Sequence, residues 1–210
     1  MQDKNSILVI GNDARANAIV EALARSKPTP NIFAWMEMMN PGIRQLADVV
    51  RIGGSAESIL DFAKESQVLW AIISPEKYLA SAVADALETM DVHTVGPLQR
   101  LARLETSKGY TRGLMKEYHV SGNVEYRKFK IMDGIEAYLE KNMPTGVVIK
   151  PDGLTGGKGV KVQSEHFNAI AQALAICEGI LAEHEAVIIE EKLEGEEFSL
   201  QCPIEKERKR

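Results

Sequence analysis

Ile7-Leu8-Val9-Ile10 is a continuous apolar run that closes at Gly11. A strand that is apolar on both faces must be covered on both, which is the situation of a parallel sheet packed between helices. The pattern recurs. Ala16, Ile19, Val20 and Leu23 fall at helical spacing, and short apolar runs return at Ile32 to Trp35, Val49 to Ile52 and Val68 to Ile73. Helical faces separate the later runs, with Ile59, Phe62 and Ala63 on one and Val83, Ala86, Leu87 and Met90 on another. Alternation of this kind predicts an α/β layer built on a parallel sheet, ending at the turn signal Gly96-Pro97.

Beyond Pro97 the order of elements changes. Leu98 to Tyr118 reads as helical and charged, Val124 to Phe129 as a strand, Asp133 to Asn142 as a helix and Val147 to Lys150 as a strand. A glycine-rich stretch at 153–159 leads to a short strand, Val160 to Val162. Phe167, Ile170, Ala171, Leu174 and Leu181 mark a long helix, and Ala186 to Ile189 another strand. This is α+β order, so a domain boundary is expected near 97–103. A last strand is expected over Glu197 to Gln201, followed by the wholly charged Glu205 to Arg210, a solvated tail. That strand has no following element to pair with, so its sheet is expected to be incomplete, as in a shortened chain.

Composition narrows the function. With 45% apolar and 26% charged residues and a net charge of −5, the chain has no basic excess for nucleic acid. An acidic chain that holds an anion must do so with local cations and backbone N–H groups. Cys177 and Cys202 have no metal-ligand spacing and the four histidines are scattered, which points to reduced thiols in the cytoplasm and to no zinc site. The apolar run after the polar Met1 to Asn5 is too short for a signal peptide or a membrane span.

Four segments carry chemistry. In Val148-Ile149-Lys150-Pro151-Asp152-Gly153-Leu154-Thr155-Gly156-Gly157-Lys158-Gly159-Val160, glycines let backbone N–H groups approach phosphate oxygens, and Lys150 and Lys158 add charge. The spacing is not that of a Walker loop, because Asp152 and Gly159 stand where that motif needs Gly and Ser/Thr, and the loop joins strand to strand. Such a loop is expected to be mobile without a ligand and to order around phosphates, since fixing it costs about 1–2 kcal/mol per residue. In Ile189-Glu190-Glu191-Lys192-Leu193-Glu194-Gly195-Glu196-Glu197 a buried strand ends in carboxylates, the pattern of a solvated acidic loop or of a nucleoside site. In Leu104-Glu105-Thr106-Ser107-Lys108, Thr106 or Ser107 is placed to cap a helix. Lys108 then sits in a first turn where the helix dipole disfavours it, which suggests an anionic partner. The first turn, Gly11-Asn12-Asp13-Ala14-Arg15-Ala16-Asn17, has Asp13 and Ala16 where a dinucleotide fingerprint needs glycines, so NAD and FAD are not expected there.

Taken in order, these segments and the Pro75-Glu76 pair after the fourth apolar run resemble phosphoribosylamine–glycine ligases (glycinamide ribonucleotide synthetases) of purine biosynthesis. The likeness runs from Ile7 to about Gln201. It implies a Rossmann-like N-terminal domain over 1–102, the first helices of an ATP-grasp domain over 103–123, a lid subdomain over 124–192, and the start of the remaining ATP-grasp sheet with a charged tail over 193–210. It implies that Lys108 and Lys150 contact ATP phosphates and that Gly156, Gly157, Lys158 and Gly159 form the lid loop. Glu190, Glu191 and Leu193 would read adenine, Glu197 would hold ribose, and Asn12, Arg15, Pro75 and Glu76 would lie near the ribose phosphate of the amine and near glycine. The activity implied is ATP-dependent ligation of glycine to phosphoribosylamine through glycyl phosphate. No general base is identifiable. The Mg²⁺ ligands of the family belong to its far half, so this chain alone is expected to show little ligase turnover. The first turn also departs from the family's Gly-x-Gly-Gly-Arg-Glu-His, and Asp13 would repel a substrate phosphate. A non-catalytic nucleotide-binding relative and an ATP-grasp ligase for another amine therefore stand as alternatives.

Overall fold

The computed structural model describes residues 6–156, 158–196, 198 and 200. Five strands form the first sheet: β1 (Ser6–Ile10), β2 (Asn31–Met36), β3 (Val49–Ile52), β4 (Trp70–Ile73) and β5 (His93–Val95). All pair in parallel, in the order β3-β2-β1-β4-β5, with Ile7 opposite Ile32 on one side and Trp70 on the other. The alternation of side chains along β1 feeds two cores. Leu8 and Ile10 join Trp35, Ile59, Phe62 and Leu87, whereas Val9 joins Ala16, Val20, Ala34 and Ile43. Helices α1 (Ala14–Arg25) and α2 (Pro41–Leu46) supply the second set, and α3 (Ala56–Glu65) and α5 (Val83–Thr89) the first. A short helix α4 (Glu76–Ala80) follows β4.

Strand order reverses between β1 and β4, and a crevice opens at the carboxyl ends of these two strands, where open α/β sheets bind ligands. Gly11 ends β1 there with φ +136°, and a Cβ on it would lie 3.1 Å from both Pro75 Cδ and Ser74 Cβ. Only glycine lets the two strand ends come this close.

The expected helical stretch from Leu98 to Tyr118 is two helices, α6 (Gln99–Thr106) and α7 (Lys108–Glu117), parted at Ser107, which is extended at φ −136° and ψ 105°. The second sheet is antiparallel, in the order β6-β9-β7-β8, from β6 (Tyr126–Phe129), β7 (Val147–Pro151), β8 (Lys161–Val162) and β9 (Val187–Glu191). One face packs on α8 (Ile135–Asn142) and α9 (Ile170–Glu183) through Phe129, Leu139, Ile149, Phe167, Val187 and Ile189. Cys177 of α9 is a free thiol in this core, and burial pushes it up to about 11. On β9, alternation turns Ile188 and Glu190 to the opposite face.

Most expected strands and helices recur with ends shifted by up to three residues in either direction. Three elements had no strong sequence signal, the five-residue α4 among them. Helix α2 buries only Ile43 among its six residues and is capped by Asn40 before Pro41, and β5 has only three residues. The expected strand over Glu197 to Gln201 lies in part outside the described residues, and the described Phe198 and Leu200 are exposed and not in a strand. No described helix is long and apolar enough to cross a membrane. Trp35 is fully buried and donates its indole N–H to Ser58 at 3.1 Å. Trp35→Ala is therefore expected to cost about 3–5 kcal/mol, read from chemical denaturation curves.

Candidate functional site

The site is assembled around the break at Ser107. Its hydroxyl accepts the Tyr110 N–H at 3.2 Å, which caps α7, and donates to the Asp152 carboxylate at 3.2 Å. The same carboxylate accepts the Gly109 N–H at 3.2 Å and the Lys128 ammonium at 2.5 Å. One side chain, 5% exposed, thus joins the start of α7 to β6 and the end of β7. Gly109 leaves room at this junction: a Cβ there would lie 2.8 Å from Lys128 Cδ and 3.1 Å from Ile188 Cδ1, so the Lys128 side chain would have to shift. Burial pushes the Asp152 carboxyl up, but the bonds from Lys128, Gly109 and Ser107 outweigh it and leave it below the usual carboxylate range.

Next to this junction, on β9, lies Glu190, whose side chain is 4% exposed. Arg112 grips it with two parallel bonds, Nε to Oε1 at 2.9 Å and Nη2 to Oε2 at 3.2 Å, and Lys150 Nζ donates to Oε2 at 2.6 Å. Burial raises the Glu190 carboxyl, and Arg112 and Lys150 more than offset this, so it too stays ionised below its usual range. Lys108 Nζ donates to the Gly153 carbonyl at 2.7 Å. Its acceptor is a carbonyl and not the anion that a first-turn lysine suggested. Burial lowers its ammonium pKa, Asp152 raises it and Lys150 lowers it further. Four cations, Lys108, Arg112, Lys128 and Lys150, meet two buried carboxylates here, while Glu105 is exposed and screened by water. The wall has positive charge to spare for an anion.

Of these groups, Lys108, Arg112, Lys150 and Glu190 line a cleft of about 840 Å³ that runs from Arg15, Pro75 and Glu76 to Gly153–Gly156. At its first-sheet end, Asp13 caps α1, accepting Ala16 N–H at 2.7 Å and the buried Ser74 hydroxyl at 3.0 Å on one oxygen. Arg15 turns to Glu76 at 3.0 Å and to the Ser74 carbonyl at 3.2 Å. The helix N-terminus where an anion could sit is therefore filled by the chain's own carboxylate.

Of the residues singled out from sequence, Arg15, Pro75, Glu76, Lys108, Lys150, Gly156 and Glu190 come together on the cleft. Asn12 stands beside it, its carbonyl accepting from Asn40. Lys158 is exposed and off the lining, its N–H bonded to the Thr155 carbonyl, and Gly159 packs on the Pro151 ring. Glu191 accepts the Glu125 N–H with its side chain, and Leu193 is 68% exposed. Gly157 and Glu197 lie outside the described residues. Glu190 is not beyond a strand end as its carboxylate suggested. It pairs with Tyr126 and Val148 inside β9, and the two cations make a carboxylate tolerable there. Sequence reasoning missed Arg112 and the junction role of Asp152. The spacing of Lys108 and Arg112, four residues apart on one helix face, was the available signal for the first.

Comparison with known proteins decides the lineage. Residues 5–105 match the family description "Phosphoribosylglycinamide synthetase, N domain", and 106–209 match "Phosphoribosylglycinamide synthetase, ATP-grasp (A) domain". The chain belongs to the phosphoribosylglycinamide synthetase family. The phosphoribosylamine–glycine ligase of Methanocella arvoryzae is 41% identical over 201 residues, covering 95% of this chain and 46% of its own, and that of Methanothermobacter thermautotrophicus is 38% identical, covering 93% and 45%. The chain spans about half the length of these family members. Among solved structures, the Thermotoga maritima phosphoribosylamine–glycine ligase aligns with TM-score 0.68 at 23% identity, over 91% of this chain and 44% of that one. The ADP complex of Staphylococcus aureus N5-carboxyaminoimidazole synthetase aligns with TM-score 0.68 at 13% identity, over 92% and 48%. At such identities the likeness is one of fold, and the fold is that of ATP-grasp ligases.

Lys77, Lys108, Lys150 and the 153–156 turn face the cleft, a donor set suited to a polyphosphate. A divalent cation finds no cage here: among the described residues no three His, Cys, Asp or Glu side chains converge, and Asp152 and Glu190 are already engaged by cations. The junction predicts an acid response. Both buried carboxyls titrate below their usual values, so their stabilisation is complete at neutral pH and is lost as pH falls through the lowered folded values. Asp152→Ala should remove part of that response and cost about 1–3 kcal/mol, measured by thermal melts between pH 7 and pH 3.

Proposed function

We propose that this cleft binds ATP and that the chain carries the nucleotide-binding part of an enzyme that ligates glycine to phosphoribosylamine in purine biosynthesis. The observation that carries the reading is the convergence of Lys108, Lys150 and the Gly153–Gly156 turn on one cleft with positive charge in excess. In this reading the polyphosphate lies against Lys108 and Lys150, Lys158 and its neighbouring glycines close over it, the adenine lies along Glu190, Glu191 and Leu193, and Glu197 holds ribose. Glycine and the amine occupy the end marked by Asn12, Arg15, Pro75 and Glu76. The terminal phosphoryl group passes to a glycine carboxylate oxygen, and the amine then attacks the acyl phosphate and releases phosphate. The lysines neutralise charge that spreads over the moving phosphoryl oxygens. Magnesium, when bound, adds to that neutralisation. The domain limits near 102, 123 and 192 and a cytoplasmic setting belong to the same proposal, and limited proteolysis within 97–103 tests the first limit.

Asp13 favours a variant of this reading. Its carboxylate lies where the family's glycine turn would receive a substrate phosphate, so a different amine, or nucleotide binding without ligation, fits this end of the cleft. An assay with ATP, glycine and phosphoribosylamine, run on a full-length family ligase whose matching part is replaced by this chain, separates the readings: formation of ADP and the glycyl amide supports ligation, and ATP binding without product supports the variant.

Calorimetric titration with ATP tests the nucleotide site itself. Lys150→Ala should weaken binding about tenfold to a hundredfold, the scale of a charged hydrogen bond, because its ammonium is pre-placed on a strand. Lys158→Ala should weaken it less. Affinity unchanged from wild type in both variants would remove the loop from the site. Amide exchange at Gly153–Gly156 should slow when ATP is added, and unchanged exchange would leave this stretch a plain hairpin turn.

A further inference from the structure

The nucleotide reading gives Arg112 no task. It follows Lys108 by one helical turn on the same face of α7, and it lines the cleft. Yet its guanidinium faces the protein. Both arms of the fork hold Glu190, at 2.9 Å and 3.2 Å. Its third nitrogen donates to Asn123 Oδ1 at 3.5 Å, and Asn123 Nδ2 donates to the Arg112 carbonyl at 3.0 Å, so backbone and head group are both tethered.

The other cation on Glu190 is Lys150, at 2.6 Å. A carboxylate so deeply buried cannot be left without a counter-charge, because desolvation then goes uncompensated. If Lys150 were its sole partner, moving that ammonium to a phosphate would strand Glu190, and the lysine would stay on the protein. With Arg112 in place, both Glu190 oxygens keep a hydrogen bond after Lys150 leaves. A lysine at 112 would supply charge as a single point and could not replace both bonds of the planar fork.

We propose that Arg112 is a positioning residue that keeps Glu190 neutralised, so that Lys150 is free to pass from Glu190 to the phosphate of an anionic ligand. The proposal rests on the nucleotide reading. It differs from a direct phosphate contact by Arg112, since the effect of Arg112 must run through the charge of Glu190.

That difference is testable with the whole 210-residue chain, titrated calorimetrically with ATP and with inorganic tripolyphosphate. Six proteins are compared: wild type, Arg112→Met, Arg112→Lys, Glu190→Gln, and each Arg112 substitution combined with Glu190→Gln. Arg112→Met should weaken both ligands by roughly tenfold or more, on the scale of a charged hydrogen bond, and Arg112→Lys should recover part of the loss. In the Glu190→Gln background, Arg112→Met should matter by less than about threefold, because a neutral amide needs no counter-charge. Equal losses in both backgrounds would place Arg112 on the phosphate itself and overturn the proposal. Unchanged binding by Arg112→Met, with wild type binding normally, would overturn it and leave the nucleotide reading intact. If wild type binds neither ligand, both fall together. Melting curves accompany each titration, and if Arg112→Met does not fold, the Arg112→Lys pair with and without Glu190→Gln decides by the same comparison.

Discussion

A single buried carboxylate ties the cleft-facing helix to the sheet that supports it. Asp152 directly follows β7 and gathers a helix cap, a backbone N–H and an ammonium from two other places in the chain, the start of α7 and β6. None of these bonds is exceptional alone, each adding on the order of 1 kcal/mol net. Their common acceptor is what matters. Because α7 starts at that point, the direction in which Lys108 and Arg112 project is set by Asp152, and so is the distance from Lys108 to the Gly153 carbonyl. The missing side chain of Gly109 is the steric counterpart of the same constraint, since a methyl group would crowd the Lys128 side chain that Asp152 holds.

In the form described, the cations of the cleft are already occupied. Lys150 and Arg112 sit on Glu190, Lys128 on Asp152 and Lys108 on a loop carbonyl. This arrangement answers a problem that any anion site faces, because unpaired positive charges close together repel one another and resist folding. Parking them on buried acceptors lets the chain fold with the charges in place, and it makes the ligand compete with the protein for them.

Much of this was legible in the sequence, for physical reasons. The parallel layer could be read because β1, β2 and β4 are short apolar runs, and the hairpin around 153–159 because apolar strands bracket its glycines. Lys108 and Lys150 were singled out by chemistry that local sequence carries, and both line the cleft. The rest was hidden where tertiary contacts override local preference. Leu98 to Tyr118 shows unbroken helical patterning, and the break at Ser107 follows from Asp152, forty-five residues away. Glu190 looked like a loop carboxylate because nothing nearby reveals that an arginine seventy-eight residues earlier would neutralise it inside a strand. Asp13 stood out in the sequence as a hazard to a substrate phosphate, and the Ala16 N–H that its side chain accepts shows that it caps α1.

The placement of the two indoles has a consequence of its own. Both tryptophans of the chain, Trp35 and Trp70, belong to the parallel sheet, one enclosed and one partly open to water. The antiparallel sheet and its helices contain none. Intrinsic emission at tryptophan wavelengths therefore reports on one half of the molecule and is blind to the other, whereas circular dichroism at the amide band sums both. A chain whose halves melt as one will give superimposable curves from the two methods. A chain whose halves melt apart will give an optical mismatch, and its sign tells which half lets go first.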